Sequence, residues 1–190
     1  MSSAFKITNV RIKQLMVYII MGVSGCGKST IGRMLAKKLS IKYYDADDYH
    51  SERNIDKMRK YIPLDDEDRI PWLLDLALHI AQWNMGLGAV LACSALKEKY
   101  RRILSQDGKE KVAFIYLEGN KNIILERAKR RNEHFFPYEL LESQFKALEV
   151  PLNGIIVQIA KTPEVICAEI IDKLLRENCV FGSLKRGWKE

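Results

Sequence analysis

The stretch Gly22-Val23-Ser24-Gly25-Cys26-Gly27-Lys28-Ser29 decides the fold. It fits G-x-x-x-x-G-K-[ST], a loop whose glycines let backbone N–H groups face a polyphosphate without Cβ clashes. In that loop the lysine reaches the β- and γ-phosphates and the last hydroxyl ligates Mg²⁺. Lys28 and Ser29 fill those two roles, and Thr30 stands beside them as a further helper. The motif requires a buried strand before it and a helix after it. Residues 16–21 (MVYIIM) form an apolar run of strand length, and Ile31, Met34, Leu35 and Leu39 recur at helical spacing, which predicts a helix over 29–39. The start of that helix adds its dipole to an anion site. Cys26 reads either as a small loop residue or, beside Lys28 and a helix N-terminus, as a thiol of lowered pKa. The loop implies a nucleoside triphosphate with Mg²⁺ and leaves the acceptor open.

Outward from the loop, apolar runs alternate with helical periods. Strands are expected over 41–44, 89–93, 112–117 and 155–159. Helices are expected over 53–60, over 71–84 with Pro71 in first position, and over 97–104, 120–131 and 137–148; a last one runs from a Thr162 N-cap to 177. Strands alternating with helices predict an α/β fold with a parallel sheet covered on both faces. No repeat, low-complexity segment or linker divides the chain. Residues 16–178 therefore read as a single domain, with 1–15 and 179–190 as terminal extensions.

Of the 190 residues, 47% are hydrophobic and 29% charged, which excludes a disordered or collagen-like chain. The longest apolar run, 15–21, is far short of the roughly 20 residues that span a bilayer. It leads straight into the glycine loop without a small-residue cleavage site, so it reads as a strand rather than a signal peptide. The net charge is +7, but residues 1–15 hold +3 of it and residues 176–190 hold +2. With a body charge of only +2, the surplus is weak evidence for nucleic acid and equally suits an enzyme of polyanionic substrates. Cys26, Cys93, Cys167 and Cys179 show no C-x-x-C spacing and read as reduced thiols of a cytoplasmic protein.

The acceptor must be read from the segments at the carboxyl edge of the sheet, where ligands of open parallel sheets bind. The second strand ends in Tyr44-Asp45-Ala46-Asp47-Asp48-Tyr49-His50. Asp45 and Asp47 can both leave the strand toward the cleft, one to hold Mg²⁺ through water and one to accept the proton of an attacking hydroxyl. The alternative is an Asp-rich turn capping the next helix. His50 reads equally as a loop hydrogen-bonding group or a substrate contact. In residues 65–72 (DDEDRIPW) Asp68 fits a helix N-cap region and Trp72 the core. After the third strand come Ser94, suited to a polyol, and Lys97 and Arg101, four apart on one helix face, suited to an anion or to solvent. Arg127, Lys129, Arg130 and Arg131 lead into His134-Phe135-Phe136, either a basic surface patch or a lid that brings cations to a transferring phosphoryl group.

Together these segments resemble the gluconokinase family of small phosphate-loop kinases, over roughly residues 16–175. The resemblance rests on MGVSGCGKST, YYDADDYHSERNIDKM, PLDDEDRIPWL, ACSALKEKYRRIL, FIYLEG and HFFPYELLESQFKALEVP, in this order and spacing. It implies ATP-dependent phosphorylation of D-gluconate to 6-phosphogluconate by a cytoplasmic homodimer. The implied fold is a nucleoside-monophosphate-kinase-like three-layer sandwich with a five-stranded parallel sheet and a mobile lid. It implies Asp45 at the Mg²⁺-water position, Asp47 at the acceptor hydroxyl, and Arg127 and Arg131 as lid arginines. Asp68, Arg69, Lys97 and Arg101 would line the sugar-acid cleft with His50, Ser94 and His134. Another small hydroxy acid, shikimate among them, is the alternative acceptor, and a nucleotide-dependent RNA-binding protein the alternative class. The chain departs from the family at Tyr61 and Glu133, where glycine is usual, in a shorter stretch after Pro151, and over 179–190.

Overall fold

The computed structural model describes residues 16–130 and 138–184, with the backbone alone described for 127–130, 138–140 and 177–184. Strand β1, Val17–Met21, is buried along its whole length. Its alternate residues feed two cores: Tyr18 and Ile20 point to one, Val17, Ile19 and Met21 to the other. That two-sided burial is why the run carries no polar alternation. With β2 (Lys42–Asp45), β3 (Ala89–Ala92), β4 (Val112–Glu118) and β5 (Ile155–Gln158) it builds a five-stranded sheet of order β2-β3-β1-β4-β5. Every pairing is parallel.

Helices cover both faces. On one lie α1 (Lys28–Leu39), α5 (Lys121–Arg130), α6 (Tyr138–Ala147) and α7 (Pro163–Leu184), which contribute Ile31, Leu35, Ile124, Leu141, Ile166 and Ile170 to the first core. On the other lie α3 (Asp66–Met85) and α4 (Glu98–Leu104), whose Trp72, Leu73, Leu76, Ile80, Tyr100 and Leu104 fill the second. A short helix α2 (Glu52–Arg59) and a 3₁₀ turn, Ala46–Tyr49, link β2 to α3. The chain leaves β1 toward β3 and β2 on one side and reaches β4 on the other. The carboxyl end of β1 is thus the switch point at which such sheets bind ligands. Among the described residues no helix is long and apolar enough to cross a membrane.

Two helix boundaries differ from expectation. Pro71 is inside α3, not at its first position. Asp65 and Asp68 form a capping box there, the Asp68 N–H donating to Asp65 Oδ1 at 2.9 Å and the Asp65 N–H to Asp68 Oδ2 at 3.2 Å. This reciprocal cap starts the helix earlier and outweighs the preference of proline for first position. Helix α7 continues to Leu184 rather than ending at 177, so residues 179–184 are helical instead of part of a tail. Nothing between 177 and 181 breaks a helix, and the first glycine is Gly182.

Candidate active site

The phosphate loop runs from the end of β1 into α1. Gly27 caps that helix at φ 106°, a conformation that costs a side-chain-bearing residue heavily. Gly22, at φ 140°, has a different reason: a Cβ there would stand 3.0 Å from Cys26 Sγ and 3.1 Å from the Leu117 carbonyl oxygen. Cys26 itself is buried within the loop. The Lys28 ammonium folds back over the loop and donates to the Gly22 and Val23 carbonyls, each at 3.1 Å. Ser24 and Gly25 form the crest, and Thr30 is exposed one residue beyond Ser29.

Ser29 and Asp45, sixteen residues apart in sequence, meet here. Ser29 Oγ donates to Asp45 Oδ2 at 2.9 Å, and the Tyr43 hydroxyl donates to the same oxygen at 2.7 Å. Burial and the Asp45 hydrogen bond push the Tyr43 phenol up to about 12, which keeps it a donor. The other carboxylate oxygen accepts the Asp47 N–H at 3.3 Å and caps the 3₁₀ turn. A hydroxyl beside a carboxylate is a hard oxygen pair, which fits Mg²⁺ held by few protein ligands and completed by water and phosphate.

Asp47 follows on that turn with its side chain 81% exposed. It is open to water yet has protein on several sides. That partial desolvation, then the neighbouring Asp45 charge, raise its pKa above the ordinary carboxylate value, and Lys28 opposes them. Ser94 lies at the same edge, where its carbonyl accepts the Gly22 N–H at 3.3 Å.

Among the described residues, two hollows flank the start of α3. The first, about 260 Å³, is lined by Arg69 from α3, Lys97 and Tyr100 from the β3–α4 region, and Gln144 from α6. Arg69 Nε donates to the Leu64 carbonyl at 3.1 Å, and its guanidinium lies 5.8 Å from the Tyr100 ring centroid. Lys97 Nζ is 3.4 Å from Asp66 Oδ1, the atom that also accepts the Tyr100 hydroxyl at 2.5 Å; Lys99 bonds the other oxygen. Hydrogen bonds from Lys99 and Tyr100 hold the Asp66 carboxyl well below its usual range.

The second hollow, about 350 Å³, is lined by His50, Arg53, Asn54, Asp68 and Trp72 among others. His50 stacks on Trp72 with ring centroids 4.1 Å apart, and its Nδ1 is 3.4 Å from Asn54 Nδ2. Burial, then the Arg69 charge, lower its pKa to about 4, so the ring is neutral. Asp68 is fully engaged: Lys57 Nζ reaches its two oxygens at 2.7 and 2.5 Å, and the Asp65 N–H takes one of them. The Lys57 hydrogen bond is the main cause of its lowered pKa.

Most of the residues singled out from the sequence gather at this edge, with one clear exception. The helix face expected to carry Lys97 and Arg101 together does not form. Lys97 is the extended N-cap of α4, whereas the Arg101 guanidinium is turned inward, 4% exposed. It donates to the Ala95 and Leu96 carbonyls at 3.0 and 3.1 Å and to Glu98 at 2.6 Å. Three acceptors satisfied by one buried fork make it a strut of the β3–α4 loop rather than a wall of the cleft. Arg131 and His134 lie outside the described residues, as does Glu133, and of Arg127 only the backbone in α5 is described. Sequence reasoning missed Tyr43, Lys57 and Gln144. All three sit inside segments that had been read for other residues or for the resemblance as a whole, without being singled out.

The chain matches the shikimate kinase family model over residues 24–174. It is 45% identical over 178 residues to a probable gluconokinase of Mus musculus, covering 83% of this chain and 97% of the relative. It is 44% identical to a gluconokinase of Arabidopsis thaliana, covering 82% and 90%. Among solved structures, a gluconokinase from Sinorhizobium meliloti 1021 superposes with a TM-score of 0.81 at 35% identity, over 88% of this chain and 97% of that one. A shikimate kinase from Aquifex aeolicus, at 19% identity and TM-score 0.58, shares the fold.

Proposed function

Because the chain belongs to the gluconokinase family, we propose that it transfers the γ-phosphoryl group of ATP to the C6 hydroxyl of D-gluconate, giving 6-phospho-D-gluconate and ADP. The observation that carries this reading is the placement of Asp47 beside the phosphate loop, at the same sheet edge as a cleft with two cations, Arg69 and Lys97. A sugar acid has one carboxylate and a chain of hydroxyls, and needs cations at one end and a proton acceptor at the other.

In this mechanism the loop amides and Lys28 hold the ATP phosphates. Ser29 and, through water, Asp45 would hold Mg²⁺, which would supply positive charge to offset that of the phosphates. Arg69 and Lys97 orient the gluconate carboxylate, and Ser94 and His50 serve its hydroxyls. Asp47 accepts the proton of the C6 hydroxyl as that oxygen bonds to the γ-phosphorus and the bond to the ADP oxygen breaks. Arg127 and Arg131, with His134, close over the phosphoryl group and exclude water. Asp68 supports the cleft through Lys57 rather than touching the acid. The same reading takes the enzyme as a homodimer in a reducing, cytoplasmic setting.

The test is ADP release with Mg-ATP and, in turn, D-gluconate, its epimers, shikimate and no acid. Turnover with D-gluconate far above the others is expected. Preference for shikimate, whose kinase family model the chain matches, would overturn the acceptor.

A further inference from the structure

One contact joins the nucleotide loop to the acceptor wall. Gln144 Oε1 accepts the Ser24 N–H at 2.7 Å, and Gln144 Nε2 donates to Ser24 Oγ at 3.1 Å. These residues are 120 apart in sequence. The carboxamide is matched to Ser24 at two points and so fixes both the backbone and the hydroxyl at the crest of the phosphate loop. The same side chain lines the hollow that holds Arg69 and Lys97.

The helix that carries it is also tied to α5 and to the β3–α4 loop. Glu142, two residues before Gln144, pairs with Lys121 of α5 at 3.5 Å. Past its end, the Glu149 N–H donates to the Leu96 carbonyl at 2.8 Å and the Glu149 carboxylate accepts the Glu98 N–H at 2.6 Å, on either side of Lys97. A ligand that pulls on Lys97 therefore bears on the end of α6, and α6 bears on Ser24 through Gln144.

We infer that Gln144 is a positioning residue that sets the crest of the phosphate loop against the acid cleft, so that nucleotide and acid each bind more tightly when the other is present. The inference rests on the kinase reading above. Coupling of this kind is reciprocal: the factor by which the acid tightens nucleotide binding equals the factor by which nucleotide tightens acid binding.

Two variants of the full chain test it. Gln144→Ala removes both hydrogen bonds. Gln144→Glu keeps the length of the side chain and can still accept from the Ser24 N–H and hydroxyl, but it sets a negative charge beside the phosphate loop. Melting temperature, kcat, both KM values and ATP affinity with and without D-gluconate are measured. D-gluconate is expected to tighten ATP binding to the unaltered protein several-fold, and Gln144→Ala to abolish that factor and lower kcat by about tenfold. Gln144→Glu is expected to melt like the unaltered protein yet bind ATP about tenfold more weakly. The inference is overturned if the acid does not tighten ATP binding to the unaltered protein. It is equally overturned if Gln144→Ala lowers only the melting temperature, the mark of a structural stitch, or if Gln144→Glu binds ATP normally. Absence of turnover with every acid would instead overturn the proposed function, and the ATP affinity of Gln144→Glu would still judge the contact to the loop.

Discussion

The two halves of the site are built on different principles. The nucleotide half is one continuous stretch, β1, the loop and α1, joined by a single distant carboxylate, Asp45. A loop of this spacing recognises phosphate largely through backbone N–H groups, so such chemistry is written in local glycine spacing. The acceptor half is drawn from the 46–50 turn, α2, the start of α3, the β3–α4 loop and α6. It is lined by side chains, and those side chains are engaged with one another: Lys57 with Asp68, and Lys97 and Lys99 with Asp66. A backbone site tolerates little variation but is formed by folding alone. A side-chain site can be retuned residue by residue, and an incoming acid must compete with partners already there.

The largest effect should fall on the nucleotide half. Lys28→Met leaves the loop glycines and the Ser29–Asp45 contact in place and removes only the ammonium. Turnover in the ADP-release assay should drop by at least on the order of 10³-fold, while the melting temperature stays close to that of the unaltered protein. Substantial turnover would mean that the loop is not where ATP reacts, and the contrast between the halves would lose its basis.

Asp47 lies where the halves meet. Asp47→Asn should lower kcat by about 10²–10⁴-fold and leave ATP affinity nearly unchanged. Its pKa is raised, and a base works only when deprotonated, so activity should fall with decreasing pH at a value above the ordinary carboxylate range. Residual activity of Asp47→Asn should lack that acid limb. An unchanged kcat would remove Asp47 from the chemistry.

A smaller effect distinguishes the acceptor half by stability rather than rate. His50 is buried and neutral, with a folded pKa near 4 against an ordinary 6.5. Between those values the unfolded chain binds the extra proton, so stability is complete above about 6.5 and declines as pH falls toward about 4. Urea unfolding across this window should show that slope, and His50→Gln should flatten it. An unchanged slope in the variant would assign the titration to other groups.

The same contrast explains what could be read from the residues beforehand. The strand–loop–helix of the phosphate loop and the parallel sheet were legible because each follows from short-range spacing or from burial on both strand faces. Pro71 misled because proline prefers a first position, while a reciprocal Asp65–Asp68 cap three to six residues earlier was the stronger signal. Arg101 misled because helical spacing says which residues share a face and not which way a guanidinium turns when carbonyls at Ala95 and Leu96 need a donor. The contact of Gln144 with Ser24 was not legible, since partners 120 residues apart leave no local pattern.

The smallest effect concerns Tyr61, which stands where the related family has glycine. It ends α2 in the left-handed region at φ 57°. Its N–H donates to the Met58 carbonyl at 3.0 Å, and the Ile62 N–H to the Lys57 carbonyl at 2.8 Å, the pair of bonds that defines a Schellman helix end. A side chain in that conformation costs about 1–2 kcal/mol, and glycine would give back about 0.5–1 kcal/mol through the freedom it adds to the unfolded chain. Tyr61→Gly should therefore stabilise the protein by roughly 0.5–1 kcal/mol in urea unfolding. The Lys57 carbonyl in this turn belongs to the residue whose ammonium holds Asp68, so the turn sits directly behind the acceptor half. The tyrosine ring is 53% exposed and lines neither hollow, so KM for D-gluconate should not move. A gain in stability with unchanged KM would make the departure at Tyr61 a backbone cost alone; a changed KM would show that the shape of this turn reaches the acid.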